Sequence, residues 1–147
     1  MAQGDVVVFN EALAFMLDGG FASTDDIKVA ICDNTAAPTQ TTATPTLSDF
    51  TQVGSAGSYT AGGTSIGTIA NCVTQSGAVM TFDSATNPTW TANASNDTDA
   101  YWAIIYNDTD ASDRAIAYVD LGGPVNMQTT ALTITWNASG IFTITNS

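Results

Sequence analysis

Glu11 is the only glutamate in a chain of 147 residues, and Lys28 and Arg114 are its only basic residues. Exposed helix faces are ordinarily built from Glu, Lys and Arg, whose straight side chains lose little freedom in a helix and pair across one turn. A chain without them has little from which to make surface helices. Thr takes their place here, and its branched Cβ suits a pleated surface while its hydroxyl meets water. The expectation is at most one helix, with β structure elsewhere.

That helix is expected over residues 8 to 18. Phe9, Leu13, Met16 and Leu17 stand at i, i+4, i+7 and i+8, one face of a helix, and Asp18, Gly19 and Gly20 end it. The Val6 to Val8 run before it reads either as a short extended piece or as its first turn. In DDIKVAICD, Ile27, Val29 and Ile31 alternate with Lys28, Ala30 and Cys32, the period of a strand. Residues 34 to 50, NTAAPTQTTATPTLSDF, have two prolines and no periodicity, which predicts a long surface loop or arm and the best candidate for gripping a partner. The glycine pair of YTAGGTSIG marks a bulge or turn between strand pieces. CVTQSGAVMTFDS predicts a hairpin turning near Gln75 to Gly77, and PTWTA a short extended piece around Trp90. DAYWAIIYND, RAIAYVDLG, ALTITW and GIFTITN are four strong strand signals, the last two joined by a hairpin loop at residues 137 to 140. Short strands at this spacing define a mainly β chain, an antiparallel β-sandwich or jelly-roll-like single domain over residues 1–147 with one short N-terminal helix. The length is that of one ordinary domain, and no second domain or internal repeat is apparent.

A formal net charge of −12 works against nucleic acid as a direct ligand, since Lys and Arg must replace phosphate counterions. The acidic surface serves solubility first and the steering of a basic partner second. No apolar run approaches the roughly 20 residues of a membrane helix, and MAQGDVVVFNEALAF lacks the basic start of a signal peptide, so synthesis in a cytosol is expected. In that compartment Cys32 and Cys72 are expected as buried thiols rather than a disulfide. The sequons at Asn93, Asn96, Asn107 and Asn137 are what an Asn- and Thr-rich composition produces by chance.

The tetrad NDTD occurs at 96 to 99 and at 107 to 110. In the second copy Asp108, Asp110 and Ser112 place oxygen at positions one, three and five, as a calcium loop does. Position six is then Asp113 rather than Gly, and position twelve is Val119 rather than Glu. The first copy has Asp97 and Asp99 at one and three, but Tyr101 at five. NDTDASD between two strands is therefore expected as a turn, with room for an adventitious cation and none for a catalytic one. A Walker loop is missing its Lys, since none follows Gly62, Gly63 or Gly67. With no His, and thiols in apolar strands, neither a Ser-His nor a Cys-His dyad forms. Trp90, Trp102 and Trp136 are expected as core or interface before sugar platforms, and the Asp residues cluster in turns rather than flanking a cleft. The expectation is a protein that is not an enzyme, with no catalytic, cofactor-binding or metal residues and no cofactor.

FNEALAFMLDGG, DDIKVAICDNTAAPT, YTAGGTSIG, TFDSATNPTW, YWAIIYNDT, AYVDLGG and LTITWNASGIFTIT together resemble small structural proteins encoded by tailed bacteriophages and prophages, over nearly the whole chain. The group's members carry more basic residues near the helix, where EALAFMLDGG has none. The resemblance implies a place on the surface of the phage particle, made in the host bacterial cytoplasm. It implies most of all a capsid decoration or cement protein bound to the major capsid protein, with a tail, fibre or head-tail component as the alternative. A carbohydrate-binding module is the alternative of another class. Cement proteins of this kind often sit at three-fold positions, and edges without Lys invite pairing, so a homo-oligomer is expected, with a trimer favoured.

Overall fold

The structure is a computed structural model and describes residues 2–146. It is mainly β, 37% strand against 10% helix, in antiparallel sheets arranged like a sandwich, as the Thr-rich alternation requires. The elements run β1 (Val6–Val8), α1 (Asn10–Leu17), β2 (Asp26–Cys32), β3 (Thr64–Thr68), α2 (Ile69–Cys72), β4 (Val73–Ser76), β5 (Val79–Phe82), β6 (Thr89–Trp90), β7 (Ala100–Asn107), β8 (Ala115–Val125), β9 (Leu132–Thr133) and β10 (Phe142–Thr145). Five strands form the main sheet in the order β1-β8-β7-β2-β3, three form a smaller sheet β10-β5-β4, and β6 pairs with β9.

The main sheet is buried on both faces. Ile27, Val29 and Ile31 are fully buried, and so are Ala30 and Cys32 on the other side of the same strand. Cross-strand register carries the two sets outward, Val29 with Ile105 and Ala117 on one face, Ala30 with Ile104 and Tyr118 on the other. The Tyr118 face packs against Phe9, 5.1 Å between ring centroids, and Phe9 stacks on Phe50 at 6.0 Å. Val119, Leu121 and Val6, toward the β1 edge, stand across a cleft from Ile134 and Phe142 of the C-terminal segment.

Three expectations are corrected. The single helix is joined by α2 and by a 3-10 turn, Leu47–Asp49. The first amides of α2 are taken up by distant carbonyls, Ile69 N–H by Asp25 and Ala70 N–H by Ser23, a support that local sequence does not reveal. ALTITW and GIFTITN do not pair with each other across residues 137 to 140. A turn forms there, with Gly140 N–H donating to Asn137 C=O, but β9 joins β6 and β10 joins β5. Finally, residues 34 to 50 form the long loop expected, without strand or α-helix, but it is tied down as a strap and is not an arm whose deletion would spare the fold. Gln40 binds the backbone of Val8 and Asn10, Glu11 Oε2 accepts from Thr44 N–H at 2.6 Å, and Ala115 N–H donates to Pro45 C=O. Leu47 and Phe50 enter the core, so removing this segment is expected to unfold the protein rather than spare it.

The Gly77-Ala78 turn joins β4 to β5 as the hairpin signal requires, with Gly77 at φ 58°. Cys32 and Cys72 are buried and unpaired. Burial, then Asp33, pushes the Cys32 thiol up to about 12; burial, then Asp83 and Asp26, pushes Cys72 up to about 11. Both folded values exceed the ordinary 9.0, so the stability gained by keeping these thiols protonated is full below pH 9 and is lost as pH rises through 11 to 12. The urea midpoint is therefore expected to hold to pH 9 and then fall. Replacing both cysteines by alanine should make that fall shallower but not remove it, because burial also raises the Tyr59 and Tyr106 hydroxyls. An unchanged alkaline slope in the double variant would contradict this assignment.

Candidate interaction surfaces

The loop between β7 and β8 is a turn held from within. Asn107, fully buried, accepts from the Thr109 and Asp110 amides through Oδ1 and donates through Nδ2 to Asp25 at 2.8 Å. Asp108 is taken by Lys28, at 2.7 Å, and by the Tyr106 hydroxyl. Asp110 accepts from the Ser112 amide. Asp113, at φ 51°, has its carboxyl raised by burial, then by Asp108 and Asp110. Among the described residues no group of three or more His, Cys, Asp or Glu is placed to hold a metal ion.

The upstream NDTD is built the same way. Asn96 is 2% exposed, accepts from Ser58 N–H at 2.6 Å, and donates to the carbonyls of Thr91 and Met127, both at 2.9 Å. Asp97 accepts from the Gly54 and Thr98 amides. In both copies, then, the asparagine is a buried clamp and the aspartates dress the turn. Two of the four sequons are thus enclosed, while Asn93 and Asn137 are exposed.

The tryptophans are dispersed. Trp90 is in the core. Trp102 and Trp136 are half-buried, with indole N–H groups donating to Asn34 Oδ1 and Thr86 C=O.

Helix α1 departs most from expectation. Its stripe was expected to face inward through Phe9, Leu13, Met16 and Leu17. Instead Phe9 and Ala12 are buried and Met16 is half-buried, while Leu13 is 39% and Leu17 90% exposed. The inward side of the helix is thus the one that carries Ala12, and the leucines lie off it. Phe15, half-buried, packs edge-on against Phe21 and lies under the Arg114 guanidinium, 4.9 Å from ring centroid to Cζ. That aromatic and cationic patch lies on a different side of the helix from the leucines, since Phe15 is two residues from each. Glu11 and Asp18 are the acids carried by this stretch.

The small sheet is a second exposed feature. Its register puts Phe82 with Phe142, and Met80 with Ile144 and Gln75, on one face, and the threonines Thr74, Thr81 and Thr143 on the other. The apolar face is sealed at its base, where Phe82 and Phe142 stack at 4.8 Å, and opens toward its tip, where Ile144 is 36% exposed. Large apolar side chains thus reach solvent at both ends of the chain, a pattern associated with protein contact.

No protein-family model, no curated protein and no solved structure matches this chain. Among the described residues no helix is long and apolar enough to cross a membrane.

Proposed function

We propose that the chain is a non-enzymatic structural protein of a tailed-phage particle, a capsid decoration or cement protein that works through its surfaces and self-associates, with a trimer favoured. The observation that carries this reading is the outward face of α1. A helix of eight residues that turns Leu13 and Leu17 to water loses the apolar burial that normally stabilises so short a helix. That loss is recovered when the face is covered.

A second copy of the chain fits this face for an electrostatic reason. Two molecules of net charge −12 repel over most approaches. The leucine face offers them an approach through uncharged side chains, because Arg114, Glu11 and Asp18 gather around Phe15 on a different side of the helix. Repetition then serves a decoration protein, since several linked copies hold a shell with an avidity that one copy lacks. A carbohydrate-binding module draws less support, because Trp90 lies in the core and the other two indoles are tied to Asn34 and Thr86.

Imaging of purified phage particles bearing a label on this protein tests the placement. Label over the head supports decoration. Label at the tail replaces it with a tail or fibre role, and no label on any particle contradicts a virion protein altogether.

A further inference from the structure

The main sheet ends at β1, and among the described residues no strand pairs with its outer side. β1 pairs with β8 through Val6 to Val119, Val7 to Tyr118 and Val8 to Ala117, and the next hydrogen bond, Phe9 N–H to Ile116 C=O, fixes the phase of the ladder. In antiparallel pairing, alternate residues turn their amides away from the partner strand, and these are Val6 and Val8. The bond from Gln40 Nε2 to Val8 C=O lies on that outer side and agrees with the phase. Gln40 therefore closes the Val8 end, and Val6 keeps an outward N–H and C=O.

Val6 opens into a cleft of about 620 Å³ between the two layers of the sandwich. The floor is apolar, formed by Val119, Leu121, Leu132 and Ile134, and Phe142 and Trp136 contribute aromatic surface. Asp5 and Asp120 also line it, and no basic side chain does. The Trp136 ring is fixed in place by its indole N–H to Thr86 and its backbone N–H to Asn87.

We infer that this cleft takes an extended, lysine- or arginine-bearing segment of another protein, added as a strand alongside β1. The free amide and carbonyl of Val6 supply the main-chain pairing, and the apolar floor takes alternate side chains, the two elements of strand addition. Charge decides the occupant. A second copy of this chain would bring a net charge of −12 and two basic residues to a cleft that already holds Asp5 and Asp120. A basic segment is drawn to the same acids, and its cation can also rest on Trp136. The inference does not depend on head placement, and its test uses the isolated chain.

The probe is a fluorescein-labelled peptide alternating lysine with valine, titrated into the full-length protein by anisotropy, with a second peptide carrying glutamate in place of lysine. Binding of the lysine peptide that weakens with salt, and no binding of the glutamate peptide, is expected. Val6→Pro removes the outward N–H without touching the β8 ladder, a place where an edge strand accepts proline. It should weaken binding about tenfold, the equivalent of one lost backbone hydrogen bond. If that variant fails to fold, the pair Asp5→Asn and Asp120→Asn decides, since amides of the same shape should lower both affinity and salt dependence. Equal binding of both peptides, or undiminished binding to the variant that decides, overturns the proposal. Loss of self-association in Val6→Pro also overturns it, by making a second copy the occupant.

Discussion

Gly63→Ala is expected to be among the most damaging single substitutions in this protein. Gly63 has φ +69°, and a Cβ there would lie 1.8 Å from the carbonyl oxygen of Val29 in the middle of β2. Left-handed backbone costs a non-glycine residue about 1–2 kcal/mol, and forcing an atom into packed backbone costs about 1–3 more. The variant is expected to lose about 2–5 kcal/mol, on the order of 5–20 °C in melting temperature. Gly77→Ala is the matched control. Its φ is +58°, but nothing lies within 4 Å of the added Cβ, so only the backbone cost of about 1–2 kcal/mol applies. Thermal melts of the two variants check this, and similar losses would contradict the close approach of the Gly63 turn to β2.

Asn96→Asp is the second. The change keeps the acceptor for Ser58 N–H but replaces the amide that donates to the Ser58 hydroxyl and to the Thr91 and Met127 carbonyls with a carboxylate facing those two carbonyls. A buried charge without its partners costs about 3–5 kcal/mol. The new carboxyl would have a folded pKa above its unfolded value, so the penalty should grow as pH rises past about 4 and shrink in acid. The exposed Asn93 offers the contrast, since Asn93→Asp is expected within about 0.5 kcal/mol of the parent. Urea denaturation at pH 4 and pH 7 measures both. A pH-independent loss in Asn96→Asp would mean that the carbonyl contacts do not govern it.

These two positions also mark where the sequence stopped being readable. The alternation of β2, the long apolar runs of β7 and β8, and the Gly77 turn are local patterns, and all of them formed as strands and hairpins. Pairing between distant segments has no such signature. ALTITW and GIFTITN look like neighbours because they are neighbours in sequence, yet each joins another strand. Asn96 and Asn107 look like turn residues by composition, and their burial depends on Ser58, Met127 and Asp25, which lie 31 to 82 positions away. The NDTD repetition was the available signal, because two identical turns suggest a shared structural role for their first residue.

The α1 stripe failed for a more informative reason. Ala12, Leu13, Ala14, Phe15, Met16 and Leu17 are consecutive apolar residues, too many for one face of a half-buried helix. Periodicity selected the larger side chains as the inward set, whereas the fold selected Phe9 and Ala12. An excess of apolar residues around a surface helix is itself a signal for a second contact, and it was present in the sequence.

Sedimentation of the isolated protein, beside Leu17→Asp at the same concentration, tests most directly that the α1 face joins copies of the chain. The parent is expected to sediment as an assembly, with three times the 15.1 kDa of one chain favoured. Leu17 is 90% exposed, so the substitution should leave the melting temperature within a few degrees of the parent while shifting the mass to that of one chain. A parent that stays at 15.1 kDa at high concentration, or an assembly untouched by Leu17→Asp, would contradict the account.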